Sequence, residues 1–217
     1  MGRWLNAGGG RGRRAAALHA HGRIPALIPS IPPRVCPLTK AVRLLVLSVL
    51  LLVLGYLVWP WLSLAIYAAR LAYMPAPGSL SIPVANVKPR ELNNTWHASR
   101  PPARRHEGID IFAKKGTPVI ASTEGIVLRR DVNNLGGKVV WVFGPGGQHH
   151  YYAHLDDFAG AAPKERIEVG ALLGYVGNTG NARTTPPHLH YGIYTNAGPI
   201  NPYPLLVPDR KTYNDRR

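Results

Sequence analysis

Residues 44–69 include no charged side chain, and that limits what the first third of the chain can become. From 44 to 54 the run is apolar on every side except at Ser48, so a helix there has neither a polar face for water nor a stripe to set against a soluble core. About 20 such residues cross the hydrocarbon of a bilayer. Trp59, Trp61 and Tyr67 stand near the far end, where aromatic side chains settle at a membrane surface, and Pro60 is expected to kink or end the helix. The expectation is a transmembrane anchor over residues 41–70. A cleaved signal peptide is the alternative, because Ser63-Leu64-Ala65 offers small residues at a suitable spacing. The length of the run and of the segment before it favours the retained anchor.

Charge then orients the anchor. The chain carries a formal net charge of +15, yet no Asp or Glu precedes Glu91. Arg3, Arg11, Arg13, Arg14, Arg23, Arg34, Lys40 and Arg43 all come before the apolar run, which makes residues 1–40 a purely cationic arm. Cations flanking a span remain cytoplasmic, so everything after the anchor is expected outside the cytoplasmic membrane. Five prolines and the lack of any hydrophobic period predict that this arm is disordered, and its low complexity raises a later true start of translation as a hypothesis. No nucleic-acid module accompanies the arm, so nucleic acid is not an expected partner. The single Cys36 excludes an intramolecular disulfide and a cysteine-rich zinc knuckle.

Residues 71–104 hold Pro75, Pro77, Pro83, Pro89, Pro101 and Pro102, a composition that predicts an extended, semi-rigid linker. From 105 to 207 the texture changes. Segments 118–121, 125–128, 138–143, 149–154, 172–176 and 188–194 read as strands, parted by Asn133-Asn134-Leu135-Gly136-Gly137, Gly144-Pro145-Gly146-Gly147 and Gly177-Asn178-Thr179-Gly180. Many short strands with no helix between them predict an all-β domain, an antiparallel sandwich or barrel-like fold with a central groove. Residues 208–217 read as a charged tail.

Within the β region, His106-Glu107-Gly108-Ile109-Asp110 superficially matches the H-E-x-x-H of helical zinc proteases. Its fifth residue is Asp, and Gly108 argues against a helix. What remains is a His and a carboxylate on extended or turned backbone. His188 and His190 are two apart in a strand, so they share a face. His154 ends another strand-like run and shares its face with His150, whereas His149 points the other way. Two histidines and an aspartate fill three positions of a tetrahedral zinc and leave the fourth open, the arrangement of a catalytic rather than a structural site. Taken singly, H-x-H is also the pattern of two packing histidines, and His106 with Asp110 that of a hydrogen-bonded pair.

Together these elements resemble the lysostaphin/LytM-type zinc endopeptidases of bacterial cell walls. The resemblance rests on His106 to Asp110, Gly116-Thr117-Pro118-Val119-Ile120-Ala121, Tyr152-Ala153-His154-Leu155, and Thr179-Gly180 leading to Pro187-His188-Leu189-His190, in that order over residues 105–203. It implies one Zn2+ per domain, held by His106, Asp110 and His190. It further implies His188 as general base and His154 as a second catalytic histidine that orients water or stabilises the oxyanion. Glu107 then has no part in the chemistry. Thr184-Thr185-Pro186-Pro187 departs from the shorter spacer common in the family and stiffens the approach to His188. The implied activity is hydrolysis of cross-link or stem peptides of peptidoglycan by an enzyme anchored in the cytoplasmic membrane. A non-catalytic wall-binding module or an activator of other wall hydrolases is the alternative, and a peptidase for non-wall, glycine-rich proteins is a third.

Overall fold

The computed structural model describes residues 37–100 and 103–207. The expectations for the arm up to residue 36 and for the tail 208–217 fall outside the described residues.

Helix α1 (Pro37–Tyr73) extends beyond the expected anchor at both ends and runs through Pro60. A proline removes one helical hydrogen bond, but here it does not end the helix. Ser63 Oγ donates to the Pro60 carbonyl at 2.9 Å. Leu45, Leu51, Leu52, Trp59 and Trp61 are all exposed. Among the described residues, α1 is the one helix long and apolar enough to cross a membrane.

The rest is built from eleven strands: β1 (Ser99–Arg100), β2 (Arg104–Arg105), β3 (Ile109–Phe112), β4 (Pro118–Ile120), β5 (Gly125–Asn133), β6 (Gly137–Phe143), β7 (His149–Phe158), β8 (Arg166–Ile167), β9 (Leu172–Val176), β10 (His188–Thr195) and β11 (Gly198–Ile200). A single turn of helix, α2 (Tyr203–Leu206), follows. β1 and β2 form a small hairpin, and the other nine strands make one continuous antiparallel sheet in which β11, β10, β7, β6, β5 and β8 are neighbours in that order. β3 also pairs with β10, and β9 joins β4 to β7. The antiparallel all-β expectation is therefore met.

Period-2 alternation explains how β10 serves two purposes. Leu189, Tyr191 and Ile193 are fully buried in the core beside Ile109, Ile111, Val140, Val142 and Leu155, while His188 and His190 face a groove. β3 repeats the pattern, with Ile109 and Ile111 inside and Asp110 on the groove side, directly opposite His190.

Two expectations need correction. Residues 71–104 are not a free-standing spacer throughout: Val84 bridges to Val119, and Val84 and Leu92 are buried in the core with Leu80 and Ile82 against it. Prolines set an extended backbone, but they do not stop the apolar residues between them from filling the domain's edge. Nor does β7 alternate regularly. Lys138 and Val140, two residues apart on β6, pair with Leu155 and Tyr152, three apart on β7. The extra residue is a β-bulge, and His154 beside it has φ 62°. His154 and His150 therefore do not share a face.

Candidate active site

Four histidines and one aspartate meet in the groove, carried there by three stretches of chain: residues 106–110, β7 and β10. His106 Nε2 lies 2.8 Å from His190 Nδ1, and Asp110 Oδ1 lies 3.1 Å from the first and 3.3 Å from the second. Donors about 2.0–2.1 Å from a tetrahedral zinc are about 3.3 Å from each other, so the three atoms have the spacing of one metal's ligands. Together they form a potential metal-binding group.

Hydrogen bonds decide which atoms point inward. His106 Nδ1 contacts the Thr95 carbonyl at 2.8 Å, His188 Nδ1 the Pro186 carbonyl at 2.8 Å and His154 Nδ1 the Thr179 carbonyl at 2.9 Å. A carbonyl only accepts, so each Nδ1 carries the proton and each Nε2 is left as a base. An outer N–H held by a carbonyl is the usual support of a metal-bound histidine. His106 Nε2, His190 Nδ1 and Asp110 Oδ1 all turn toward one another, so a single cation could take a lone pair from each. The residues present thus fit a zinc ion, with nitrogen and oxygen donors and no sulfur.

His188 Nε2 is 3.8 Å from Asp110 Oδ1, beyond hydrogen-bond reach, and the His188 ring packs against Phe112 at 5.2 Å and edge-on to His154 at 5.0 Å. It stands beside the three donors without joining them. His154 is on the same side, its ring 5.9 Å from that of His190. Its left-handed backbone costs a non-glycine residue on the order of 1–2 kcal/mol. A bond from His154 N–H to the Gly136 carbonyl at 2.7 Å holds it there.

Burial shapes the charges. It pushes the His154 imidazole down to about 4, helped by His190 and His188, and the Thr179 carbonyl opposes only part of this. It also lowers His190. Burial alone would raise the Asp110 carboxyl, but its interactions with the His106 and His190 rings outweigh this and hold the group well below the usual carboxylate range.

All five expected residues come together, and the structure adds others the sequence did not single out. Thr95, in the presumed linker, holds His106 through its carbonyl and accepts the Asp110 N–H at 3.0 Å through Oγ1. Arg100 reaches Asp110 Oδ2. Thr179 braces His154 and also binds Lys138 N–H at 3.0 Å and the Leu155 carbonyl at 2.8 Å. No spacing betrays these roles, because each depends on long-range contact. Gly108 had a signal: a Cβ there would sit 2.5 Å from the Tyr191 carbonyl and 2.7 Å from His190 Cε1, so glycine is what lets the chain entering β3 approach the His190 ring.

Known proteins share this domain. The profile of peptidase family M23 matches residues 104–202. An L-Ala–D-Glu endopeptidase of Bacillus subtilis is 38% identical over 52% of this chain and 38% of its own length. A DD-carboxypeptidase/endopeptidase of Neisseria meningitidis is 38% identical over 48% of this chain and 24% of its own. The chain thus spans well under half the length of these relatives. Among solved structures, the catalytic domain of lysostaphin from Staphylococcus simulans is 25% identical, covering 52% of this chain and 88% of that one, with a TM-score of 0.47. From the sequence match and the motifs in their order, the β domain of this chain belongs to peptidase family M23, the lysostaphin/LytM-type family.

Proposed function

We propose that the domain is a zinc-dependent endopeptidase that hydrolyses peptide bonds of peptidoglycan, and that α1 holds it at the outer face of the cytoplasmic membrane with the arm inside. The observation that carries the reading is the convergence of His106 Nε2, Asp110 Oδ1 and His190 Nδ1, with two further imidazoles beside them in an open groove. Relatives from Vibrio cholerae named as peptidoglycan DD-endopeptidases support the wall as substrate.

His106, Asp110 and His190 would hold the ion. Zinc in such a site acidifies a bound water and polarises a carbonyl. His188 presents an unprotonated Nε2, fixed by the Pro186 carbonyl, to take the proton and return it to the leaving amine. His154, kept from protonation by burial and with its one proton on Nδ1, offers Nε2 as an acceptor that orients the attacking water. The groove walls of Tyr151, Tyr194 and Leu135 position the peptide.

Incubating the full chain in detergent micelles with purified peptidoglycan tests this. New free amines that disappear on chelation and return with zinc are expected, and mass spectrometry of the released muropeptides names the bond. A folded, zinc-loaded protein that releases none would instead support the wall-binding or activator role.

A further inference from the structure

We propose that the β1–β2 hairpin is a specificity element that recognises a carboxylate on the substrate peptide, so that the groove selects an acidic peptide over a neutral glycine bridge. This rests on the peptidase reading and goes on to its substrate class.

The argument begins with charge. The charged side chains lining the groove are Arg100, Arg104, Arg105, Glu107 and Asp110, three guanidiniums against two carboxylates. A divalent ion on Asp110 raises the positive excess further. Arg100 and Arg104 stand directly opposite each other in the hairpin register. Arginine also presents a planar fork of donors that matches a carboxylate in a way lysine does not.

The hairpin is held at the groove rather than hanging over it. His97 N–H donates to the His106 carbonyl at 2.9 Å, and His106 N–H donates to the Ala98 carbonyl at 3.0 Å. Thr95 grips both His106 and Asp110, and Arg100 reaches Asp110 Oδ2. The strand that carries Arg100 is thereby tied to two of the three metal-facing residues. Arg105 directly precedes the first of them, is exposed, and lines the same groove. A carboxylate bound there lies next to the bond being cut.

The test measures binding, so it does not depend on turnover. Zinc-loaded full chain carrying His188→Ala is titrated calorimetrically with a short peptide bearing a D-glutamate side chain, its carboxyl terminus amidated. The same peptide with D-glutamine, a D-glutamine version with a free carboxyl terminus, and tetraglycine amide are the other arms. The peptide carrying the recognised carboxylate is expected to bind about three- to tenfold more tightly than the all-amide form, with the preference shrinking as salt rises. The two acidic arms report which carboxylate is read. Replacing the pair by Arg104→Gln with Arg105→Gln should bring the ratio to about one, while Arg104→Lys with Arg105→Lys keeps part of it. Equal affinity for acid and amide, no binding of any peptide, or a preference that survives the glutamine pair overturns the proposal. If the preference is present but the unsubstituted protein cuts no peptidoglycan, the peptidase reading fails and the recognition stands.

Discussion

Strands β7 and β10 together place histidines on both faces of the sheet, His150 toward the core and His154, His188 and His190 toward the groove, and the two faces treat them in opposite ways. On the core side, His150 Nδ1 meets Tyr191 OH at 2.7 Å, Tyr191 OH meets Ser122 Oγ at 2.6 Å, and Ser122 Oγ meets Tyr152 OH at 2.8 Å. These groups bond to one another, with His150 Nε2 alone buried without a partner, and His150, Tyr152 and Tyr191 have no exposed surface. On the groove side, His106, His154 and His188 give their Nδ1 protons to backbone carbonyls and leave their Nε2 atoms in shared space. A buried hydrogen-bonded network specifies a core. An open set of bases around one carboxylate is incomplete until something binds. The same residue type is structural or chemical according to where its hydrogen bonds end.

Substitutions can break this contrast. The largest effects belong to the groove: His190→Ala should abolish both zinc retention and peptidoglycan cleavage, whereas His188→Ala should keep zinc, read by metal analysis, and lose about 10² to 10⁴ in turnover. Zinc loss from the His188 variant would place that residue among the ligands.

On the core side, Tyr191→Phe removes the hydroxyl that joins His150 to Ser122, at a cost of about 1–3 kcal/mol from buried groups left without a partner. Thermal unfolding should show the loss while zinc affinity stays unchanged. A fall in zinc affinity would mean that the two faces are coupled through β10.

A pH series separates the faces more finely. Burial, reinforced by His149, pushes the His150 imidazole down to about 3 from its ordinary 6.5. Between those values the unfolded chain binds a proton that the folded chain refuses, so stability falls as pH drops from about 6.5 toward 3. The slope from one such group is at most about 1.4 kcal/mol per pH unit. In chelated protein, His150→Asn should flatten the dependence of unfolding free energy on pH between about 4 and 6 by up to one proton's worth; an unchanged slope would show that His150 does not set it. His154 and His190, also lowered, contribute with the same sign and account for what slope remains.

The smallest expected effect is that of Glu107→Gln. Glu107 lines the groove next to His106, and the proposed mechanism gives it no role. Turnover should change by about twofold or less. A collapse with zinc still bound would move the base from His188 to Glu107.

How much of this was legible beforehand depended on the range of the interaction. The H-x-H at 188–190 could be read because strand geometry puts alternate residues on one face whatever the sheet does next. The apolar run 44–69 announced α1 for a similar reason, since composition alone leaves it no soluble partner. His154 could not be placed that way. Its run alternates as if His150 and His154 were neighbours on one face, and only pairing with β6 introduces the bulge that turns them apart.

The sequence by itself determined the antiparallel β class, the apolar helix and the identity of the residues that meet in the groove, because residue type, period and motif order are local properties of the chain. Tertiary structure alone decided that Thr95 and Arg100, from a proline-rich segment, would close around Asp110, that Val84 and Leu92 would enter the core, and that one histidine of β7 would be sealed in while another faces the groove. Each of those outcomes depends on which distant backbone supplies the partner, and packing settles that only once the sheet has formed.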